Sequence, residues 1–192
     1  MRISGGTAKG RKTATKRLLM GRPSNGRLRP TSSKVREALF DILRDRVGNA
    51  SFVDLFAGTG TVGFEALSRG AREAVFVEPD QNRFREIGRA AIDLGLRERC
   101  RIFRKRARDF LKKAAAEGQT FDIFFLDPPY QSGDMEEVLL LLGEGRLMDE
   151  KGVVVAEHSS RKTMPLSTRD LKMEKNYRYG DTMLTLYRKM RG

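Results

Sequence analysis

The apolar positions of this chain change period again and again, and that alternation defines its architecture. After Pro30, the run Thr31-Ser32-Ser33 offers hydroxyls suited to cap a helix. Val35, Ala38, Leu39, Ile42 and Leu43 follow at helical spacing, which predicts an amphipathic helix over 32–47. Short apolar runs then alternate with amphipathic stretches. Strands are predicted at Ser51–Leu55, Ala74–Val77, Arg101–Arg104, Phe121–Leu126 and Gly152–Glu157, separated by helices at Thr61–Arg69, Gln81–Leu94, Ala107–Ala116 and Met135–Leu142. Strand–helix alternation at this spacing calls for a parallel sheet with helices on both faces. Further on, Leu171–Arg178 and Thr182–Arg188 alternate around Gly180-Asp181, the pattern of a β-hairpin. The expected fold class is therefore α/β: a doubly wound, mostly parallel seven-stranded sheet ending in an antiparallel hairpin.

Residues 1–30 stand outside this pattern. Apart from Leu18-Leu19-Met20 they have few apolar residues, and they read as an extended arm or short hairpin ahead of a domain over 31–192. Charge sets the arm apart further. It carries nine Lys/Arg and no Asp or Glu, within a chain of 192 residues whose net charge is +13. A second concentration, residues 97–113, holds nine more against Glu98 and Asp109. Clustering of this kind is the electrostatic footprint of a polyanionic partner.

Other classes are narrowed by what the chain lacks. A single cysteine, Cys100, leaves no intrachain disulfide and fits a reducing, cytoplasmic setting. With one His and one Cys there is no Cys/His zinc cluster, and no metal is expected. No apolar stretch approaches membrane-spanning length, and the basic N-terminus is not followed by the apolar core of a secretory signal. A monomer is the default expectation.

Two stretches carry chemistry. Val53-Asp54-Leu55-Phe56-Ala57-Gly58-Thr59-Gly60-Thr61-Val62-Gly63 joins the first core strand to its helix. Its glycines permit a tight turn and a close ligand, and the helix start beyond offers free N–H groups. Gly58-x-Gly60-x-x-Gly63 also matches the dinucleotide fingerprint, with Glu78 placed 20 residues after Gly58 as a ribose-binding acid. Asp54 tilts the balance away from a pyrophosphate, which a carboxylate repels, and toward a ligand bearing an ammonium group. S-adenosylmethionine (SAM) has that ammonium and a ribose. The second stretch is Asp127-Pro128-Pro129-Tyr130, at the end of the run Phe121–Leu126. It combines a carboxylate, a turn lacking two N–H donors, and an aromatic plate on which a base can stack. Such a cluster suits an exocyclic amine as substrate.

Asp54-Leu-Phe-Ala-Gly-Thr-Gly60, Glu78-Pro-Asp80 and Asp127-Pro-Pro-Tyr130 together resemble the three signature stretches of SAM-dependent amino-methyltransferases. Arg2-Ile3-Ser4-Gly5-Gly6, Gly10-Arg11-Lys12, Leu28-Arg29-Pro30-Thr31, Val35-Arg36-Glu37-Ala38-Leu39-Phe40 and Tyr179-Gly180-Asp181-Thr182 are similar to the RsmD family in particular, from Arg2 to about Lys189. That resemblance implies a Rossmann-like methyltransferase domain that methylates the N2 amine of a guanine in small-subunit (16S) ribosomal RNA. It implies Asp127, Pro128, Pro129 and Tyr130 as the catalytic cluster. It also implies a cofactor site of Thr31, Asp54, Phe56, Ala57, Gly58, Thr59, Gly60, Glu78, Pro79 and Ala107. The cations expected on RNA, as free ribosomal RNA or the small ribosomal subunit, are Lys9, Arg11, Lys12, Lys16, Arg17, Arg29 and Arg36. The chain departs from the family pattern at Ala90, where Asn is frequent, and at Arg106, where Asp or Asn is frequent just before Ala107. Arginine cannot accept a hydrogen bond from the adenine amine of SAM.

Three other functions compete. An adenine-N6 methyltransferase acting on RNA or DNA uses the same Asp-Pro-Pro-Tyr chemistry, but sequence-reading DNA enzymes normally add a recognition domain for which 192 residues leave no room. A non-catalytic RNA-binding relic is expected to have lost Asp127 or the glycines, and both are present. An NAD-dependent oxidoreductase lacks a visible substrate domain.

Overall fold

In the computed structural model, residues 33–129, 133–144 and 146–190 are described. Thr31, Tyr130 and the six arm cations Lys9, Arg11, Lys12, Lys16, Arg17 and Arg29 lie outside them. The strands are β1 (Ser51–Asp54), β2 (Glu73–Val77), β3 (Cys100–Phe103), β4 (Phe121–Leu126), β5 (Met148–Ser159), β6 (Ser167–Thr168), β7 (Leu171–Tyr179) and β8 (Thr182–Lys189). The helices are α1 (Ser33–Leu43), α2 (Thr61–Ser68), α3 (Gln81–Asp93), α4 (Ala107–Ala116) and α5 (Asp134–Leu142). One eight-stranded sheet runs β3-β2-β1-β4-β5-β8-β7-β6. Its first five strands in that order are parallel, and β8, β7 and β6 join antiparallel.

The sheet thus has eight strands where the sequence pattern gave seven. The extra one, β6, is two residues long and pairs Ser167 with Lys172 and Thr168 with Leu171. Two residues are too few for an alternation to register. Two boundaries also move by four residues. The helix expected to reach 47 ends at Leu43 and tightens into a 3₁₀ turn over Arg44–Arg46. β5 begins at Met148, four positions before the expected Gly152, because the exposed Asp149-Glu150-Lys151 conceals its start.

Packing follows the period-2 alternation of the strands. On one face, even positions of β1 and odd positions of β4 and β5 pack beneath α1 and α2. Phe52, Ile123, Phe125, Val153 and Val155 meet Leu39, Phe40, Val62 and Ala66 there. The same face continues under α2 and α3, where Phe64 and Phe76 stack at 4.8 Å between ring centroids. On the other face Val53, Val75, Phe124 and Val154 pack against Phe110, Leu111, Val138 and Leu139 of α4 and α5. Fully burying each of these large apolar side chains contributes about 1.5–3 kcal/mol. Both faces being covered explains why the parallel strands read as continuous apolar runs. Among the described residues no helix is long and apolar enough to cross a membrane.

Candidate functional site

All five parallel strands end at the same edge of the sheet, and the sequence motifs fall on that edge. β1 ends at Asp54, and the turn 55–60 leads into α2. Gly60 takes φ +76°, and a Cβ there would lie 2.9 Å from the Phe64 ring. Gly63 is more restricted: a Cβ would meet Phe76 Cε1 at 2.3 Å. A side chain at 63 therefore forces α2 off β2, and the third glycine of the motif exists for helix–strand packing. Along the turn, the Ala57 N–H donates to the Val77 carbonyl (3.0 Å) and the Gly60 N–H to that of Ala57 (2.6 Å). Phe56 and Gly58 are half-buried and Thr59 is exposed, its hydroxyl 3.0 Å from that of Thr61.

Glu78 follows β2 immediately and is buried, yet its carboxylate is held from both sides. Gly58 N–H donates to Oε2 and Asp80 N–H to Oε1, each at 2.9 Å. Burial raises its pKa, opposed by those two N–H groups and by the Arg83 charge. Fixed in this way, Glu78 joins the glycine turn to the start of α3 and has lone pairs left that could hold a ribose hydroxyl. Pro79 is exposed beside it, and Asp80 caps α3, accepting from the Asn82 and Arg83 N–H groups at 3.0 Å. Ala107 opens α4 and is buried, whereas Arg106 is exposed at the cap position with no side-chain cap bond.

Asp54 differs from Glu78. Only 2% exposed, it keeps Oδ1 buried with no hydrogen-bond partner among the described residues. Burial, and next the Asp127 charge, push its carboxyl up to about 7, against the N–H groups of Gly63 and Phe56. A bare carboxylate oxygen in a dry place is expensive unless a donor arrives. An ammonium group brought against Oδ1 would satisfy it and restore the charged form. Glycine turn, Glu78 and Asp54 fit the amino-acid and ribose parts of SAM.

Asp127 ends β4 half-buried, close enough to Asp54 to perturb it electrostatically. Pro128 is buried and Pro129 exposed, so the chain turns outward at this point. The described residues thus bring together Asp54, Phe56, Ala57, Gly58, Thr59, Gly60, Glu78, Pro79, Ala107, Asp127, Pro128 and Pro129 on one edge.

Arg36 is the exception. Expected on RNA, it is 7% exposed and turned inward, its Nε 3.7 Å from Glu65 Oε2. Glu65 also pairs with Arg69 Nε at 3.1 Å, and Arg69 covers the Phe40 ring at 4.8 Å. The helical spacing of α1 puts position 36 beside Val35 and Leu39 under the helix, so its charge joins α1 to α2. The 97–113 cluster is likewise partly structural. Arg99 donates to the carbonyls of Leu67 and Arg72 at 3.2 Å and to that of Ala71, and Arg97 to that of Cys100 at 3.1 Å. Arg101 binds Gln119 at 2.9 Å and faces Glu73 at 3.8 Å.

The sequence motifs passed over Glu157. It ends the apolar run of β5, 5% exposed. The available signal was its likeness to Asp54, Glu78 and Asp127, each an acid closing an apolar strand. Its neighbour His158 is occupied structurally, with Nε2 2.7 Å from Thr185 Oγ1 and Nδ1 2.9 Å from the Ser159 carbonyl. Burial pushes the Cys100 thiol up to about 12, so it is no thiolate nucleophile.

Comparison with known proteins gives the same picture. The family model described as "Conserved hypothetical protein 95" matches residues 1–188. Ribosomal RNA small subunit methyltransferase D of Escherichia coli is 30% identical over 191 residues, 98% of this chain and 90% of that protein. Among solved structures, Escherichia coli yhhF superposes with a TM-score of 0.81 at 30% identity, covering 100% of this chain and 99% of that one. SMU.776, solved with SAH, shares the fold at a TM-score of 0.63 and 16% identity, over 80% of this chain and 48% of its own. With a match over nearly the whole length and its motifs gathered on one sheet edge, the chain belongs to the RsmD family of methyltransferases.

Proposed function

We propose that the protein transfers a methyl group from SAM to the exocyclic N2 amine of a guanine in small-subunit ribosomal RNA, acting as a cytoplasmic monomer. The observation that carries this reading is the pair of carboxylates at the ends of neighbouring strands. Asp54 is buried beside the glycine turn with Oδ1 lacking a donor among the described residues, and Asp127 stands next to it ahead of two prolines. When bound, SAM supplies an already activated methyl on its sulfonium. The protein's task is then to prepare a weak nucleophile. Asp127 and the Pro128 carbonyl accept the amine hydrogens and turn the nitrogen lone pair toward the methyl. Tyr130 stacks on the base and Thr31 lines the amino-acid end of the cofactor. Asp54 holds the ammonium group and Glu78 the ribose. Orientation of this kind can remove up to ~7–11 kcal/mol of barrier in favourable cases. The target guanine must leave its stack to reach Asp127.

The substrate class rests on the relative named for small-subunit ribosomal RNA and on the basic character of the chain. Lys9, Arg11, Lys12, Lys16, Arg17 and Arg29 contact phosphates in this reading. Replacing Lys9, Arg11, Lys12, Lys16 and Arg17 with alanine makes the log–log salt slope of RNA binding shallower by several units, at roughly 0.7–0.9 per phosphate contact. SAM affinity stays unchanged. The deciding experiment for the activity is nucleoside mass spectrometry of ribosomal RNA from a deletion strain. One N2-methylguanine disappears from the small subunit; an unaltered complement of N2-methylguanine refutes the reading.

A further inference from the structure

The sheet register puts a fourth acid into the row formed by Glu78, Asp54 and Asp127. Asp54 pairs with Phe76 of β2 and Phe125 of β4, and Phe125 pairs with Val155 of β5. Glu78, Asp127 and Glu157 each lie two residues beyond those partners, and a step of two along a strand returns to the same face. The core confirms which face it is. Phe52, Ile123, Phe125, Val153 and Val155 all pack under α1 and α2. Four carboxyl groups thus share one face of four adjacent strands in the spatial order Glu78, Asp54, Asp127, Glu157, with strands about 4.8 Å apart and Asp54 set back by two residues. This face has room for a hydrogen-bond donor in at least one place, since Asp54 Oδ1 is buried and unpartnered among the described residues. Glu157 itself is 5% exposed, on a strand locked to β8 through its pairing with Leu184.

The row matches the order of the groups to be held. Ribose and ammonium of SAM occupy its first two acids, and the target amine its third. The next atom along the edge of a guanine beyond N2 is N1, which carries a hydrogen. In adenine the ring nitrogen beside the exocyclic amine is a bare acceptor. We propose that Glu157 is the residue that selects guanine, its carboxylate accepting the N1–H while Asp127 accepts from N2. This inference rests on the methyl-transfer reading of the same site. Two carboxylates on the same face of neighbouring strands can converge on two adjacent donors of one base edge. An adenine offered in the same pose turns a lone pair toward a buried carboxylate and is rejected.

The test uses the full chain and synthetic RNA carrying either guanine or 2-aminopurine at the mapped target position. 2-Aminopurine keeps the reactive 2-amine and has no N1 hydrogen. Wild type is expected to prefer guanine on the order of 10–100-fold in kcat/KM, the range of a hydrogen bond to a charged group. Glu157→Gln, whose amide can donate to a bare N1, is expected to bring that ratio to within about 3-fold. RNA affinity without turnover, read from 2-aminopurine fluorescence, should shift in the same direction. A purely structural role for Glu157 lowers both substrates equally and leaves the ratio intact, which overturns the proposal. So does a wild type that uses the two bases equally well, a result that needs no variant. If wild type methylates neither base, the guanine-N2 reading itself has failed, an outcome distinct from both.

Discussion

β4 carries an acid near each end, and the two have opposite circumstances. Asp122, at the start of the strand, is fully engaged: its Oδ2 accepts from the Ser51 N–H at 2.8 Å and the Ser51 hydroxyl at 2.7 Å. The Asp122 N–H returns a bond to Ser51 Oγ at 3.0 Å, so the pair fastens β4 to β1. Asp127, at the other end, lies close to Asp54, a second acid whose Oδ1 has no donor among the described residues and whose proton is held by burial and by Asp127 itself. The first acid fastens two strands together, and the second stands beside another acid. Folding alone favours the first arrangement. The second leaves Asp54 Oδ1 for a ligand.

The sharpest way to break this comparison is Asp127→Ala. Methyl transfer should fall by at least about 10³-fold, the order seen when an orienting or charge-stabilising group is removed. SAM affinity should stay within a few-fold; an equal loss of SAM binding reassigns Asp127 to the cofactor. Glu78→Ala comes next, weakening SAM by about 1.5–3 kcal/mol as the ribose loses a charged acceptor and Gly58 and Asp80 lose theirs. Calorimetry that finds wild-type SAM affinity removes Glu78 from the site. At the opposite end, Asp122→Ala strands the Ser51 donors and should lower stability by about 1–3 kcal/mol in denaturant titration. Its kcat below the melting transition should equal wild type, and a lowered kcat there would erase the distinction between the two edges.

The smallest effect is a dependence on pH. Asp54 releases its proton at about 7 in the fold and near 3.8 when exposed. Across that window the unfolded chain is already ionised while the folded one still holds the proton, so stability falls as pH rises from about 4 to 7. Asp54→Asn removes this contribution. Without SAM, its Tm relative to wild type should climb by a few degrees between pH 5 and pH 8. A constant difference across that range means that Asp54 is not buried as a neutral acid.

Much of this was readable beforehand, for identifiable reasons. Apolar runs such as Phe121–Leu126 are buried on both faces and leave a continuous signal. The glycines of the first turn are dictated by local geometry, Gly63 by the Phe76 ring directly beneath it. What escaped depends on partners distant in sequence. β6 is a strand only because β7 lies beside it. Arg36 looks like any surface cation until Glu65 is brought over it from α2. Glu157 stands apart from every motif and joins the row only through the register of β5 on β4.

The placement of β8 has a consequence for how the molecule comes into being. In sequence, β8 follows every other strand described, yet in space it lies between β5 and β7. A chain emerging from N- to C-terminus therefore presents β5 with an open edge until residues 182–189 are available. During that interval Val153, Val155 and Glu157 lack their partners Arg188, Leu186 and Leu184. An unpaired apolar edge is a template for the wrong neighbour. The nascent protein is thus exposed to misassembly until its late-arriving strand docks, and the edge that holds the reacting groups is among the last parts to be finished.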